Sequence, residues 1–298
     1  MRSIIHNTLR LAILALSLQL WQSAGAVRYQ DGDFVYDCNY IWGHLEATLM
    51  LYTGDQSEVT VPDSVYYQGH NYPILYIGDD FVHPFSYNTT VTTVHLPATA
   101  VSIGVQAFDN CQQLRHVDLG SGLTSIGAYA FNGCSQLTQV TMRGNLTDIG
   151  ECAFAQCSQL TSLTMGRGVQ HLGMAVFDGT PLQTLTLLNP EPAQCDGTLS
   201  NNLNLYRTCT LVVRIGSRNA FLAAGGEWSR FLQIVERAEL GDINADGSID
   251  VADINILVNM MLARTEQDQS GADIDHNGSV DVADINTLIN IMLGIGTF

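Results

Sequence analysis

The chain has no lysine. All 12 basic residues are arginine, set against 29 aspartates and glutamates, and the formal net charge is −17. So acidic a surface repels phosphate backbones, which argues against nucleic acid as a partner. The seven cysteines include no Cys-x-x-Cys pair, so a structural zinc site has no framework. There is no nucleophile elbow, no zinc-binding His-Glu-x-x-His and no phosphate-cradling loop. No Pro-, Ser- or Gln-rich tract interrupts a composition that is 46% apolar, so the 298 residues read as globular, with room for two domains. Beyond the N-terminus there is no long apolar run, and the mature chain is expected to be soluble, with no transmembrane segment.

What is present at the start is an export signature. Arg2 and Arg10 supply positive charge, residues 11–20 are mostly apolar, and Ala24-Gly25-Ala26 forms a small-x-small cleavage site. Residues 1–26 are therefore expected to be a signal peptide, and the protein to be secreted or held at a bacterial cell surface. The first cysteine is Cys38, too far from the apolar run for a lipid anchor at the cleavage site. Export permits disulfides, and Cys195 and Cys209, which flank a polar loop, are the candidate pair.

The charge is uneven. From Glu236 to Phe298 there are 12 acidic residues and only Arg237 and Arg264 to oppose them, so 63 residues carry −10 of the −17. Such a concentration of carboxylates needs counter-ions, and a metal is the natural one.

Two internal repeats organise the rest. The first has a period of 23 residues: Ile103-Gly104 with Phe108, Cys111 and Leu114 recurs as Ile126-Gly127 with Phe131, Cys134 and Leu137, then as Ile149-Gly150 with Phe154, Cys157 and Leu160. A fourth copy carries Leu172-Gly173 and Phe177, and a degenerate earlier one begins at Ile77-Gly78 with Phe81. Each unit runs into an alternating strand whose inward pairs are Val94/Leu96, Val117/Leu119, Val140/Met142, Leu163/Met165 and Leu185/Leu187. One unit cannot bury its own apolar side, so the units are expected to stack with their strands in a parallel ladder. The phenylalanines then form a buried aromatic stack, and Cys111, Cys134 and Cys157 a column of small buried thiols. The outward strip is Thr93 and His95, His116 and Asp118, Gln139 and Thr141, Ser162 and Thr164, Thr184 and Thr186. It is polar and lacks the Trp and Tyr that anchor strong interfaces.

The second repeat has an offset of 31. Asp242, Asn244, Asp246, Ser248, Asp250 and Asp253 are matched by Asp273, Asp275, Asn277, Ser279, Asp281 and Asp284. These fall at positions 1, 3, 5, 7, 9 and 12 of a loop with Gly247 or Gly278 at position 6. Side-chain oxygens ligate at five of them and the backbone carbonyl at position 7, which is the EF-hand-type calcium pattern. Two Ca²⁺ ions are the expected cofactors. Position 12 is Asp where an EF-hand has Glu. A helix is expected after each loop, with apolar stripes Ile254, Leu257, Val258, Met261, Leu262 and Ile285, Leu288, Ile289, Met292, Leu293 packing on each other. Calcium neutralises carboxylates that otherwise repel, so metal binding and folding are coupled.

The motif I-G-x-x-A-F-x-x-C-x-x-L-x-x-V-x-L resembles the BspA-like, or type 5, leucine-rich repeats of bacterial and protozoan surface proteins. The likeness runs from about residue 77 to 236. Residues 33–65 are similar to the family's opening segment. The tail, with Thr210-Leu211-Val212-Val213, Gly216-Ser217, Trp228 and Phe231, resembles its closing strand and helix. The duplicated loop and helix, residues 241–294, resemble a type I dockerin, in which Asp at position 12 is normal. That resemblance implies docking to a cohesin module, with partner selection at Val251, Ala252, Val282 and Ala283; these are apolar and identical in both halves, where clostridial dockerins often have Ser-Thr.

The expected architecture is a mainly β leucine-rich-repeat solenoid followed by a small all-α calcium-binding domain. Its divisions are 1–26 signal peptide, 27–76 N-terminal cap, 77–209 solenoid, 210–238 C-terminal cap and 239–298 dockerin-like domain. The expected role is non-catalytic: a solenoid surface for a host or polymer ligand, and a calcium-loaded module that docks to a cohesin-type or other surface protein. The alternative is a component of a polysaccharide-degrading assembly with a glycoside-hydrolase-associated role. Hydrolysis of that kind needs two positioned carboxylates at a cleft, and the repeats place Asp109, Glu151 and Asp178 at variable positions.

Overall fold

A computed structural model describes residues 27–41, 44–142, 146–237, 241, 251–263, 272–275 and 279–293. The expected signal peptide, 1–26, lies outside the described residues. The chain opens with strands β1 (Val27–Asp31), β2 (Phe34–Ile41) and β3 (His44–Tyr52), paired antiparallel in sequence order. After β4 (Glu58–Thr60), β5 (Ser64–Tyr67) and β6 (His70–Ile77) form a hairpin. Its turn residues Gln68 and Gly69 both have positive φ, at 48° and 88°, the backbone twist a tight two-residue hairpin demands. β3 pairs with β6 in parallel, so the antiparallel cap is continuous with the ladder that follows.

Two parallel ladders then run the length of the solenoid. One contains β7 (Thr93–His95), β9 (His116–Asp118), β11 (Gln139–Thr141), β13 (Ser162–Met165) and β15 (Thr184–Leu187); it begins at β4 and ends at β17 (Thr210–Arg214) and β18 (Gln233–Arg237). Thr93, His116 and Gln139 lie in lateral register, as do Ser162, Thr184 and Thr210, so like positions stack in successive coils. The other ladder continues β6 through β8 (Ser102–Ile103), β10 (Ser125–Ile126), β12 (Asp148–Ile149), β14 (His171–Leu172) and β16 (Gln194–Cys195). This second ladder is absent from the sequence reading, because two residues are too few to show an alternation. The last coil is closed by the short helices α1 (Asn204–Thr208) and α2 (Arg218–Ala224), with Trp228 buried and its indole N–H donating to the Ala193 carbonyl at 2.7 Å.

All ten inward residues of the five expected strand pairs are buried, and one apolar core extends from Tyr36 to Ile234. Its spine is aromatic. Phe85, Phe108, Phe131 and Phe154 stack face to face with centroids 4.7, 5.1 and 5.2 Å apart and planes within 10°. Phe177 is also fully buried. At the N-terminal end the column passes to Tyr52 and then Phe34, which covers the first coil. The degenerate first copy differs from expectation: Phe85, not Phe81, enters the stack, and Phe81 is 67% exposed. Residues 79–81 are an insertion between Gly78 and that phenylalanine, folded into a turn in which the Asp79 carboxylate accepts the N–H groups of Phe81 and Val82 at 2.7 and 2.8 Å.

The thiol column is buried as expected, and each thiol has a partner. Cys111, Cys134 and Cys157 donate to the carbonyls of Phe85, Phe108 and Phe131 in the preceding coil, at 2.9, 3.1 and 3.2 Å. In the next coil Thr180 replaces cysteine and makes the same bond, to Phe154 at 2.6 Å. A hydroxyl serving in place of the thiol shows that the position needs a small buried donor, not sulfur chemistry. Burial pushes the Cys134 thiol well above its ordinary range and that of Cys157 up to about 12. Both are therefore expected to resist a thiol reagent at neutral pH until the solenoid unfolds, which a labelling time course in and out of denaturant checks. Cys134→Ala removes one of two donors to the Phe108 carbonyl, which keeps the Cys111 N–H at 3.1 Å, and opens a small void, so it should cost about 1 kcal/mol in a denaturant melt. Cys195 and Cys209 are both free thiols in this structure.

Candidate metal centre and ladder face

The C-terminal segment contributes helices α3 (Val251–Ala263) and α4 (Val282–Leu293). Leu257, Ile274 and Leu288 are buried together, with Ile254, Val280, Ile285 and Ile291 packed around them. The stripe on α4 is thus Ile285, Leu288 and Ile291, a run of i, i+3 steps on one face. Ile289, expected in that stripe, is instead 37% exposed.

The start of α4 builds the site. Asp281 is the N-cap, its Oδ1 accepting the Ala283 N–H at 2.7 Å. Asp284 reaches back so that its Oδ2 accepts the Asp281 N–H at 2.7 Å, completing a reciprocal capping box. Its other oxygen accepts the N–H groups of Ile274 and Asp275 at 2.6 and 3.3 Å, tying the head of the loop to the head of the helix. Asp284 is fully buried and, 31 residues earlier, so is Asp253. A carboxylate taken out of water is stabilised only by such donors or by a cation. One oxygen each from Asp273, Asp275 and Asp284 lies within 4.8 Å of the others, a cluster of hard donors suited to a hard dication.

The sequence placed these three at loop positions 1, 3 and 12, and the structure brings them together. Ser279 is described and exposed, at the surface of the same loop. Asp242, Asn244, Asp246, Ser248, Asp250 and Asn277 lie outside the described residues. Of the expected partner-binding positions, Val251 and Val282 are each 60% exposed, large aliphatic side chains held in solvent at the first turn of their helices. Ala283 is half-buried, and Ala252 falls within α3. The capping role of positions 9 and 12 escaped the sequence reading, although Asp-x-x-Asp at the head of a helix is a legible signal for it.

On the solenoid, the residues expected to point outward occupy one face of the longer-stranded ladder, where Gln139, Ser162 and Thr164 are exposed and Thr93, His95, His116, Asp118, Thr184 and Thr186 half-buried. Among the described residues no helix is long and apolar enough to cross a membrane.

Residues 83–194 match the BspA type leucine rich repeat region in six copies, and residues 240–293 match the dockerin type I domain. The chain carries a BspA-type leucine-rich-repeat region and a type I dockerin domain. Both are non-catalytic domain types. Dockerin type I domains bind calcium and typically dock to cohesin modules, and BspA-like repeat proteins and dockerin proteins are typically extracellular or surface-located. Among solved structures, the pneumococcal vaccine antigen PcpA is 19% identical, with a TM-score of 0.52 over 65% of this chain and 51% of its own, which supports the solenoid fold alone. A leucine rich cell surface protein from Faecalibacterium prausnitzii is 24% identical over 74% of this chain and 57% of its own, with a TM-score of 0.48. The BspA-like chain thus spans little more than half the length of these two. The comparison with curated proteins found no match.

Proposed function

We propose that this BspA-like dockerin protein is an exported, non-catalytic interaction protein: its repeat solenoid presents a binding surface and its C-terminal module, loaded with two Ca²⁺ ions, attaches it to a cohesin-type partner or other surface protein. One ion is assigned to Asp242, Asn244, Asp246, Ser248, Asp250 and Asp253, and the other to Asp273, Asp275, Asn277, Ser279, Asp281 and Asp284. Calcium supplies charge neutralisation here and no redox or Lewis-acid step. The reading is carried by the meeting of Asp273, Asp275 and Asp284 one turn from the solvent-held Val282. Filling the cage fixes the helix start, and the helix start presents the aliphatic pair Val282 and Ala283; Val251 and Ala252 repeat it at an offset of 31, so the partner can dock in two orientations related by a half-turn. Localisation at the cell surface, and a place in polysaccharide breakdown, follow from what such modules usually join rather than from a catalytic group on this chain.

The test is a pull-down from the envelope fraction of the source organism. Capture of one partner with Ca²⁺, lost with chelator and with Asp242→Ala plus Asp273→Ala, supports attachment through the module. Capture that persists in a chain ending near residue 236 assigns binding to the solenoid and sinks the docking role.

A further inference from the structure

We propose that the outer face of the first solenoid coils binds a borderline transition-metal dication, with His95 and His116 as nitrogen ligands and Glu58 and Asp118 as carboxylate ligands. The four residues lie on the consecutive strands β4, β7 and β9, at outward positions. His95 is in lateral register with Asp118, and His116 with Thr93, so the two histidines are diagonal neighbours. Their ring centroids are 6.2 Å apart and the planes cross at 62°. Glu58 Oε1 is 3.4 Å from His95 Nε2.

What distinguishes this patch is unused ligand capacity. The His116 ring has no hydrogen-bond or ion-pair partner among the described residues. The Asp118 carboxylate accepts one long bond, from the Gly120 N–H at 3.3 Å, and has no other partner among them. His171, on the other ladder, shows the contrast: its Nε2 is already engaged by the Asp196 carboxylate at 2.9 Å. The outward residues of β4, β7 and β9 include no arginine, so with neutral imidazoles the patch carries two net negative charges.

The four groups do not converge on one point in this structure. His95 is 36% exposed and Glu58 72%, so both side chains have room in solvent to change rotamer toward a shared ion. Imidazole nitrogen with carboxylate oxygen favours Zn²⁺ or Cu²⁺ over Ca²⁺, whereas the all-oxygen loops of the dockerin favour the reverse. The two ends of the chain therefore sort metals by donor chemistry.

The experiment is a Zn²⁺ titration by calorimetry on the full chain, with Ca²⁺ in excess to occupy the oxygen sites. A saturable Zn²⁺ event in the wild type, weakened at least about tenfold in His95→Ala plus His116→Ala with an unchanged melting temperature, supports the site. Cu²⁺ at one equivalent should show imidazole nitrogen coupling in its electron paramagnetic resonance spectrum, absent in the same double variant. No Zn²⁺ event in the wild type, or an event the double variant keeps, overturns it.

Discussion

Gly150→Ala is expected to cost the solenoid about 3 kcal/mol, seen as a lower denaturation midpoint and early hydrogen exchange in the coils on either side. A Cβ at this position would sit 2.6 Å from the Ala128 backbone nitrogen, 2.8 Å from the Gly127 carbonyl carbon and 3.0 Å from the Ala128 Cα. All three are main-chain atoms of the preceding coil, so no side chain can swing aside. The same approach recurs at Gly104, Gly127 and Gly173, where the nearest backbone atom would lie at 2.6, 2.7 and 2.4 Å. Relief requires the coils to part, which strains the bond from the Gly150 N–H to the Ile126 carbonyl, now 2.8 Å, and opens the phenylalanine stack beside it. A solenoid's stability is a sum of nearest-neighbour interfaces, so damage at a central one is felt by both halves. Gly32→Asn is the control: that glycine has a φ of 56° and open space around it, and asparagine tolerates the left-handed region, so the change should stay within about 1 kcal/mol. Equal losses at the two positions would show that close packing of the glycine column is not what the coils require.

How far the sequence disclosed this architecture depends on how many copies each feature has. The 23-residue period exposed the phenylalanine, cysteine and leucine columns because each recurs at least three times. It also set the inward face of the longer-stranded ladder, where three or four residues alternate. The second ladder stayed hidden because Ser125–Ile126 and its neighbours are two residues long. Their pairing is set by the coils on either side rather than by local pattern. The first coil was misread because Phe81, three residues after Gly78, was taken for the stacked ring, whereas later copies have a step of four and counting 23 back from Phe108 reaches Phe85. What decides the outcome there is which ring can reach the column, and only Phe85 does. On α4 the choice between Ile289 and Ile291 was ambiguous, since isoleucine occupies both positions and only the direction of the packing partner separates them. At the metal centre the ligand positions were legible from chemistry. The second duty of Asp281 and Asp284, capping the start of α4, was also legible as Asp-x-x-Asp at a helix head but went unread, and the backbone donors make it plain.

That double duty gives Asp284 the largest expected effect in the module. Asp284→Asn should weaken Ca²⁺ binding on the order of 100-fold, because the loop loses a formal charge and an oxygen ligand together. The amide can still accept from Ile274 and Asp275 through one oxygen, but its nitrogen faces the Asp281 N–H, donor against donor, where the carboxylate accepts at 2.7 Å. The cap opens and the helix start loses its anchor just where the cage needs it closed. The wild-type module without metal has the opposite difficulty. Asp273, Asp275 and a buried Asp284 repel one another, and the ion removes that repulsion, so Ca²⁺ should raise the melting temperature of the tail and increase its helicity. In Asp284→Asn the repulsion is lower but the cap is already open, so the variant should gain less helix and less melting temperature than the wild type on adding Ca²⁺. Calorimetry and circular dichroism on the full chain, with and without Ca²⁺, separate the two contributions. A variant that binds Ca²⁺ as tightly as the wild type would mean that Asp284 only caps the helix and that the metal is held without it.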